Sequence, residues 1–93
     1  MKEKVLDELS KLSMSSTSFR ILCHLTFRGR PFKPKEIANE LGLNPASVRA
    51  RLSELCKRNL MMLVSEGYTS VVEPYDILMK VYDDLRKRGT EVE

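Results

Sequence analysis

The sequence predicts a mainly α fold: a three-helix core followed by a small β-hairpin, with one further helix at each end. Three observations predict it. Apolar residues recur at helical spacing in successive segments. Gly, Pro, Asn and Ser stand where helices start and stop. From Leu60 to Glu73 two strand-like runs flank a glycine. A chain of 93 residues suits one domain, here 1–93, divided into an N-terminal helix (2–13), a core (17–73) and a C-terminal helix (74–88).

Each element has its own justification. Over residues 2–13, Val5, Leu9 and Leu12 recur at a four-three spacing with Leu6 beside them. The serine-rich run from Ser13 to Ser18 breaks that helix and, with Thr17, offers N-caps for the next. Residues 17–28 form the second helix, with Phe19, Ile21, Leu22 and Leu25 inward and Gly29 as its stop. Arg30 to Lys33 is extended, because Pro31 and Pro34 bias the residues before them away from helix. Pro34 suits a first helical position; Ile37, Ala38 and Leu41 give that helix a buried face, and Gly42 ends it. Asn44 is a strong N-cap with Pro45 after it, opening a helix to about Arg58 that Asn59 can end in a left-handed conformation. Leu60–Ser65 and Thr69–Glu73 are strand-like, with Glu66-Gly67-Tyr68 as the turn and Gly67 free to take positive φ. Pro74 opens the last helix, where Leu78, Val81 and Leu85 share a face and Tyr75 and Tyr82 lie alongside. Gly89 to Glu93 should fray.

Charge separates the regions. The net charge is +3, but residues 28–58 hold eight Lys/Arg against three Asp/Glu, whereas residues 59–93 hold four against seven. A concentrated basic segment is the electrostatic footprint that phosphate binding requires. No apolar run approaches a membrane span, and the charged, amphipathic N-terminus is unlike a secretory signal. These features lead to the expectation of a cytoplasmic protein. The two cysteines, Cys23 and Cys56, sit beside apolar stripes and read as buried thiols.

The stretch PKEIANELGLNPASVRARLSELCKRNL, residues 34–60, carries the functional reading. It describes two short helices joined by a tight turn, and the second helix of such a pair can enter the DNA major groove. On a helical wheel of about 100° per residue, Val48, Leu52 and Leu55 fall within about 60° and define the core face. Ala46, Ala50, Ser53 and Lys57 point away; Ser47, Arg49, Arg51 and Arg58 lie on the flanks. Small outward residues allow close approach to the groove floor, and flanking arginines reach guanine edges or phosphates. Ser47 also lies near a helix N-terminus, which attracts phosphate. Ser47, Arg49 and Arg51 are the first candidates for direct contact, followed by Asn44 and Lys57. Lys33 and Lys35, with Arg28 and Arg30 before them, are candidates for phosphate contacts that set register. The hairpin tip has no Lys or Arg and includes Glu66, so contacts there would come from Tyr68, Thr69 or Ser70.

From about residue 17 to 73, and above all in KPKEIANELGLNPASVRARLSELCKRNLM, the chain resembles a winged helix-turn-helix domain of the MarR, ArsR and PadR type. The resemblance implies a wing formed by the hairpin, a strand before Pro34 pairing with it, and terminal helices that make a two-fold homodimer. The residues placed to do so are Val5, Leu9, Leu12, Leu78, Val81, Tyr82 and Leu85; the alternative is that these helices pack on their own domain. In length and layout the chain is also similar to the small winged-helix centromere-binding proteins of archaeal plasmid partition systems. That likeness implies palindrome recognition, spreading along DNA and other partition proteins as partners. A local transcriptional repressor accounts for the residues equally well, and both readings stay open.

Other readings rest on less. His24 is the sole histidine, no Cys/His spacing resembles a zinc site, and there is no glycine-rich phosphate loop or GxSxG. The expectation is therefore a non-enzyme with no cofactor and no metal. Two rivals remain: a winged-helix adaptor that binds proteins rather than DNA, motivated by the acidic C-terminal third and a wing tip without Lys or Arg, and a regulator holding a small apolar effector.

Overall fold

The computed structural model describes residues 2–92, with side chains for 2–88. In chain order the elements are α1 (Lys2–Lys11), α2 (Thr17–Arg28), α3 (Pro34–Leu41), α4 (Pro45–Lys57), β1 (Met61–Val64), β2 (Gly67–Ser70) and α5 (Pro74–Val92). The chain is thus mainly helical with one small antiparallel sheet, an arrangement compatible with a helix-rich, winged-helix-like fold.

Local chemistry sets most boundaries. The Ser16 hydroxyl accepts the Phe19 N–H at 3.1 Å and caps α2. Gly29 closes that helix in the left-handed region, its N–H on the Leu25 carbonyl. Gly42 does the same for α3. At the start of α3, Glu36 reaches back to accept the Lys33 N–H at 2.9 Å. That bond, with Arg30 nearby, holds the Glu36 carboxyl below its ordinary pKa. Asn44 caps α4 through Oδ1, which accepts from Ala46 at 2.8 Å and Ser47 at 3.3 Å. Asn59, at φ 62°, reverses the chain after α4.

The core lies where α2, α3 and α4 meet. Ile21, Leu22, Phe32, Ile37, Val48, Leu52, Leu55 and Leu60 are fully buried there. Leu9 and Leu12 join the same cluster at 2% and 6% exposure. They are therefore core residues of their own chain, and within one copy they leave no surface for a partner. Their stripe gave the right buried face, but periodicity alone does not say whose core is filled. Of the seven residues assigned to a dimer contact, Leu78, Tyr82 and Leu85 are the exposed ones, while Val5 and Val81 are half-buried.

Two tethers hold α5 against α1. Lys2 Nζ lies 3.0 Å from Asp76 and 3.1 Å from Glu73. The buried Lys80 ammonium donates to the Ser10 carbonyl at 3.4 Å and lies 3.4 Å from Asp84. Asp76 also accepts the Glu73 N–H, capping α5. The helix continues past Arg88 to Val92, so Gly89 does not end it. Glu93, the last of the residues expected to fray, lies outside the described residues.

The hairpin departs from the expected turn. Val64 pairs with Gly67 and Leu63 with Tyr68, so Ser65-Glu66 form the turn and Gly67 begins β2. The cause is the strand before α3. Phe32 and Tyr68 exchange backbone bonds of 2.8 and 2.7 Å. A Cβ on Gly67 would lie 2.4 Å from the Phe32 carbonyl oxygen, and its φ of 138° disfavours any side chain. The second strand stops at Ser70 rather than Glu73, because the Ser70 hydroxyl turns the chain by accepting the Val72 N–H. The first helix likewise ends at Lys11, before Ser13.

Candidate nucleic-acid interface

The second helix of the proposed reading pair, α4, is seated by the fully buried Val48, Leu52 and Leu55. This leaves Ala46, Ser47, Arg49, Ala50, Ser53 and Lys57 exposed, as the helical wheel requires. Polar ties join α2 to α3. His24 Nε2 lies 2.7 Å and Arg28 3.2 Å from the Glu40 carboxylate, bridging the two helices. Arg20 donates to the Leu41 carbonyl at 2.9 Å, at the end of α3. These contacts were not anticipated from the sequence; the i,i+4 pair His24–Arg28 was a faint signal, but its partner Glu40 lies on another helix.

Basic residues divide into two groups. Arg28 and Arg30 are engaged internally. Arg28 pairs with Glu40, and Arg30 stacks over the Phe32 ring at 3.8 Å with Glu36 at 3.5 Å. Neighbouring carboxylates therefore offset part of the charge assigned to register-setting contacts. By contrast Lys33, Lys35, Arg49, Arg51, Lys57 and Arg58 form no ion pair among the described residues. Lys33 and Lys35 open α3, and Arg49 and Lys57 stand on the exposed side of α4. Unpaired cations keep their full charge available to an anionic partner.

Four candidates, Ser47, Arg51, Tyr68 and Thr69, have different surroundings from those expected. The N–H groups of Ala46 and Ser47 are already capped by Asn44, so the α4 N-terminus offers fewer free donors to phosphate. Asn44 and Ser47 are both exposed at that corner. Arg51 is half-buried and lines a cleft at the α1–α2 corner, away from the exposed Arg49. On the hairpin, Tyr68 is half-buried against the core and Thr69 is half-buried in β2. The Met61-Met62 pair splits: Met61 fills the core and Met62 is exposed, as is Leu63. Strand alternation would have separated Met61 from Met62, but it places Leu63 on the side of Met61 and so does not account for its exposure.

Cys23 and Cys56 are free thiols and half-buried. Burial pushes the Cys23 thiol up to about 11, partly opposed by Lys80, and raises Cys56 as well. Neither has the lowered pKa that marks a reactive nucleophile. Among the described residues no helix is long and apolar enough to cross a membrane. No protein-family model matches the chain, and no curated protein matches it.

Proposed function

We propose that the protein is a winged helix-turn-helix DNA-binding protein that engages double-stranded DNA as a homodimer. In this reading α4 enters the major groove, and two copies occupy successive grooves of a palindromic site about 34 Å apart. The observation that carries it is the outward side of α4: small residues flanked by the unpaired Arg49 and Lys57, beside the unpaired Lys33 and Lys35 at the start of α3. Arg49, Ser47 and Asn44 read or approach bases; Lys33, Lys35 and Lys57 hold phosphates. The exposed Leu78, Tyr82 and Leu85 on α5 supply the two-fold contact. The biological role is transcriptional regulation or plasmid partition, in a nucleoid- or plasmid-associated cytoplasmic setting.

A second reading has its own support. The hairpin tip carries Glu66 and no cation, while Met62 and Leu63 are exposed beside it, which suits a protein partner better than a minor groove. Binding-site selection from random duplex DNA, followed by footprinting at rising protein concentration, decides between them. An enriched palindrome supports DNA recognition. A fixed footprint then supports a local regulator, and protection that spreads supports partition. No binding to any duplex at low salt would move the assignment to a protein adaptor.

A further inference from the structure

Arg51 of α4 and Arg58, the residue that caps the end of that helix, do not join Arg49 on the exposed face and have a destination of their own. Arg51, Glu54 and Arg58 follow at three- and four-residue steps and lie within about 60° on one side of the helix. That side faces the corner between α1 and α2, where a cleft of about 240 Å³ opens. Its wall includes Arg51, Arg58, Glu54, Ser16, Thr17 and Ser18. Such a volume falls below the roughly 300–1,000 Å³ of sites for drug-sized ligands and suits a single compact group.

The charges in this cleft are unusual for their spacing. Glu54 stands where i,i+3 and i,i+4 pairing with Arg51 and Arg58 is the ordinary expectation. It pairs with neither; its carboxylate instead accepts the Ser18 hydroxyl at 3.4 Å. Arg51 and Arg58 are each half-buried as residues and form no ion pair among the described residues. The same wall presents the start of α2, where Ser16 caps Phe19 and the N–H groups of Thr17 and Ser18 precede any intrahelical acceptor. Two arginines and two uncapped N–H groups lining one cleft supply the kinds of donor that a tetrahedral oxyanion takes.

We propose that Arg51 and Arg58 form a clamp for one phosphate group, so that Arg51 positions the protein and Arg49 alone of the α4 arginines reads bases. The proposal rests on the DNA-binding reading for the source of that phosphate, the duplex backbone; free inorganic phosphate has the same chemistry and is separable by experiment. Glu54 opposes the bound anion and limits its affinity.

The test uses the full chain and the variants Arg51→Gln, Arg58→Gln and Glu54→Gln, each checked for native helicity by circular dichroism. Duplex affinity is measured against salt for several sequences. Arg51→Gln and Arg58→Gln should weaken every duplex by the same factor and reduce the log-log salt slope by about 0.9 for the phosphate lost. Glu54→Gln should tighten binding, an effect that damage to the fold would not mimic. In parallel, amide shifts of Thr17 and Ser18 are followed as inorganic phosphate replaces chloride at constant ionic strength. Saturable shifts that vanish in both arginine variants support the clamp even where no duplex binds, which would separate its survival from the failure of the DNA reading. A changed salt slope without phosphate shifts supports a clamp that takes only backbone phosphate. Sequence preference altered by Arg51→Gln with an unchanged slope, or no dependence of either readout on the two arginines, overturns the proposal.

Discussion

Helices α4 and α5 are both amphipathic, but they present opposite things to solvent. The apolar stripe of α4 is wholly buried in the core, and its arginines and Lys57 form no ion pair among the described residues. In α5 the charges nearest the body of the protein are tied down, with Asp76 on Lys2 and Lys80 on Asp84, while Tyr75, Leu78, Tyr82 and Leu85 are exposed. One helix therefore offers charge and the other offers apolar surface. The difference teaches that amphipathicity fixes a helix's two sides, and its neighbours decide which side remains available to a partner.

The largest expected effect tests this contrast directly. Leu52→Ala empties a fully buried site in α4 and should cost about 2–5 kcal/mol in urea unfolding. Leu78→Ala removes an exposed side chain and should change dilute-monomer stability by no more than about 0.5 kcal/mol. Under the dimer reading, the same Leu78→Ala variant should abolish the concentration dependence of the melting temperature. Equal losses in the two helices at low concentration would break the comparison.

The next effect concerns the charge that α4 offers. Arg49→Ala should weaken binding to a selected duplex by about 1–3 kcal/mol and relax preference at one base pair. Its melting temperature should not move, because the side chain is exposed and unpaired. An unchanged affinity would remove this helix from the interface.

A smaller effect probes the tether of α5. Asp76 is buried, lies 3.0 Å from Lys2 and caps its own helix through the Glu73 N–H. Asp76→Ala should cost about 1–2 kcal/mol, the loss of a cap together with a charged partner. Asp76 and Glu73 raise the Lys2 pKa through hydrogen bonds. That contribution is complete below the unfolded value of 10.5 and is lost as pH rises through the folded one. A stability curve of Asp76→Ala that matched wild type across this alkaline range would show that the tether does not hold α5.

Much of this contrast was legible in the residues. Asn44-Pro45, Gly29 and Gly42 marked helix ends because caps depend on the chain's own next few donors and acceptors. Val48, Leu52 and Leu55 marked the core face because the helical period is fixed. What escaped reading came from distant contacts. Gly67 looked like a turn residue, yet its constraint is the backbone of Phe32, far back in the chain. The wheel put Arg49 and Arg51 on opposite flanks, about 160° apart, but could not say that the α1–α2 corner lies against Arg51. Leu9 and Leu12 fitted a shared core, and the chain's own core accommodates them. Periodicity gives an angle around an axis; it carries no information about which element occupies that direction.

The finest probe of how firmly α5 sits is the Cys23 thiol, half-buried on α2 and influenced by the Lys80 ammonium of α5. Desolvation pushes this thiol up to about 11, and Lys80 pulls against that rise. Between the ordinary value of 9.0 and about 11 the folded chain therefore keeps a proton that the unfolded chain gives up, so stability should fall as pH rises through that range. In a Cys56→Ser background, alkylation of Cys23 should stay slow at pH 9 and accelerate only as pH nears 11. Adding Lys80→Met should push the onset higher while α5 stays docked, because the cation that favours the thiolate is gone. An onset moved down toward 9.0 by Lys80→Met would mean that α5 had lifted away and hydrated the thiol, making Lys80 the anchor of that helix rather than a charge beside it.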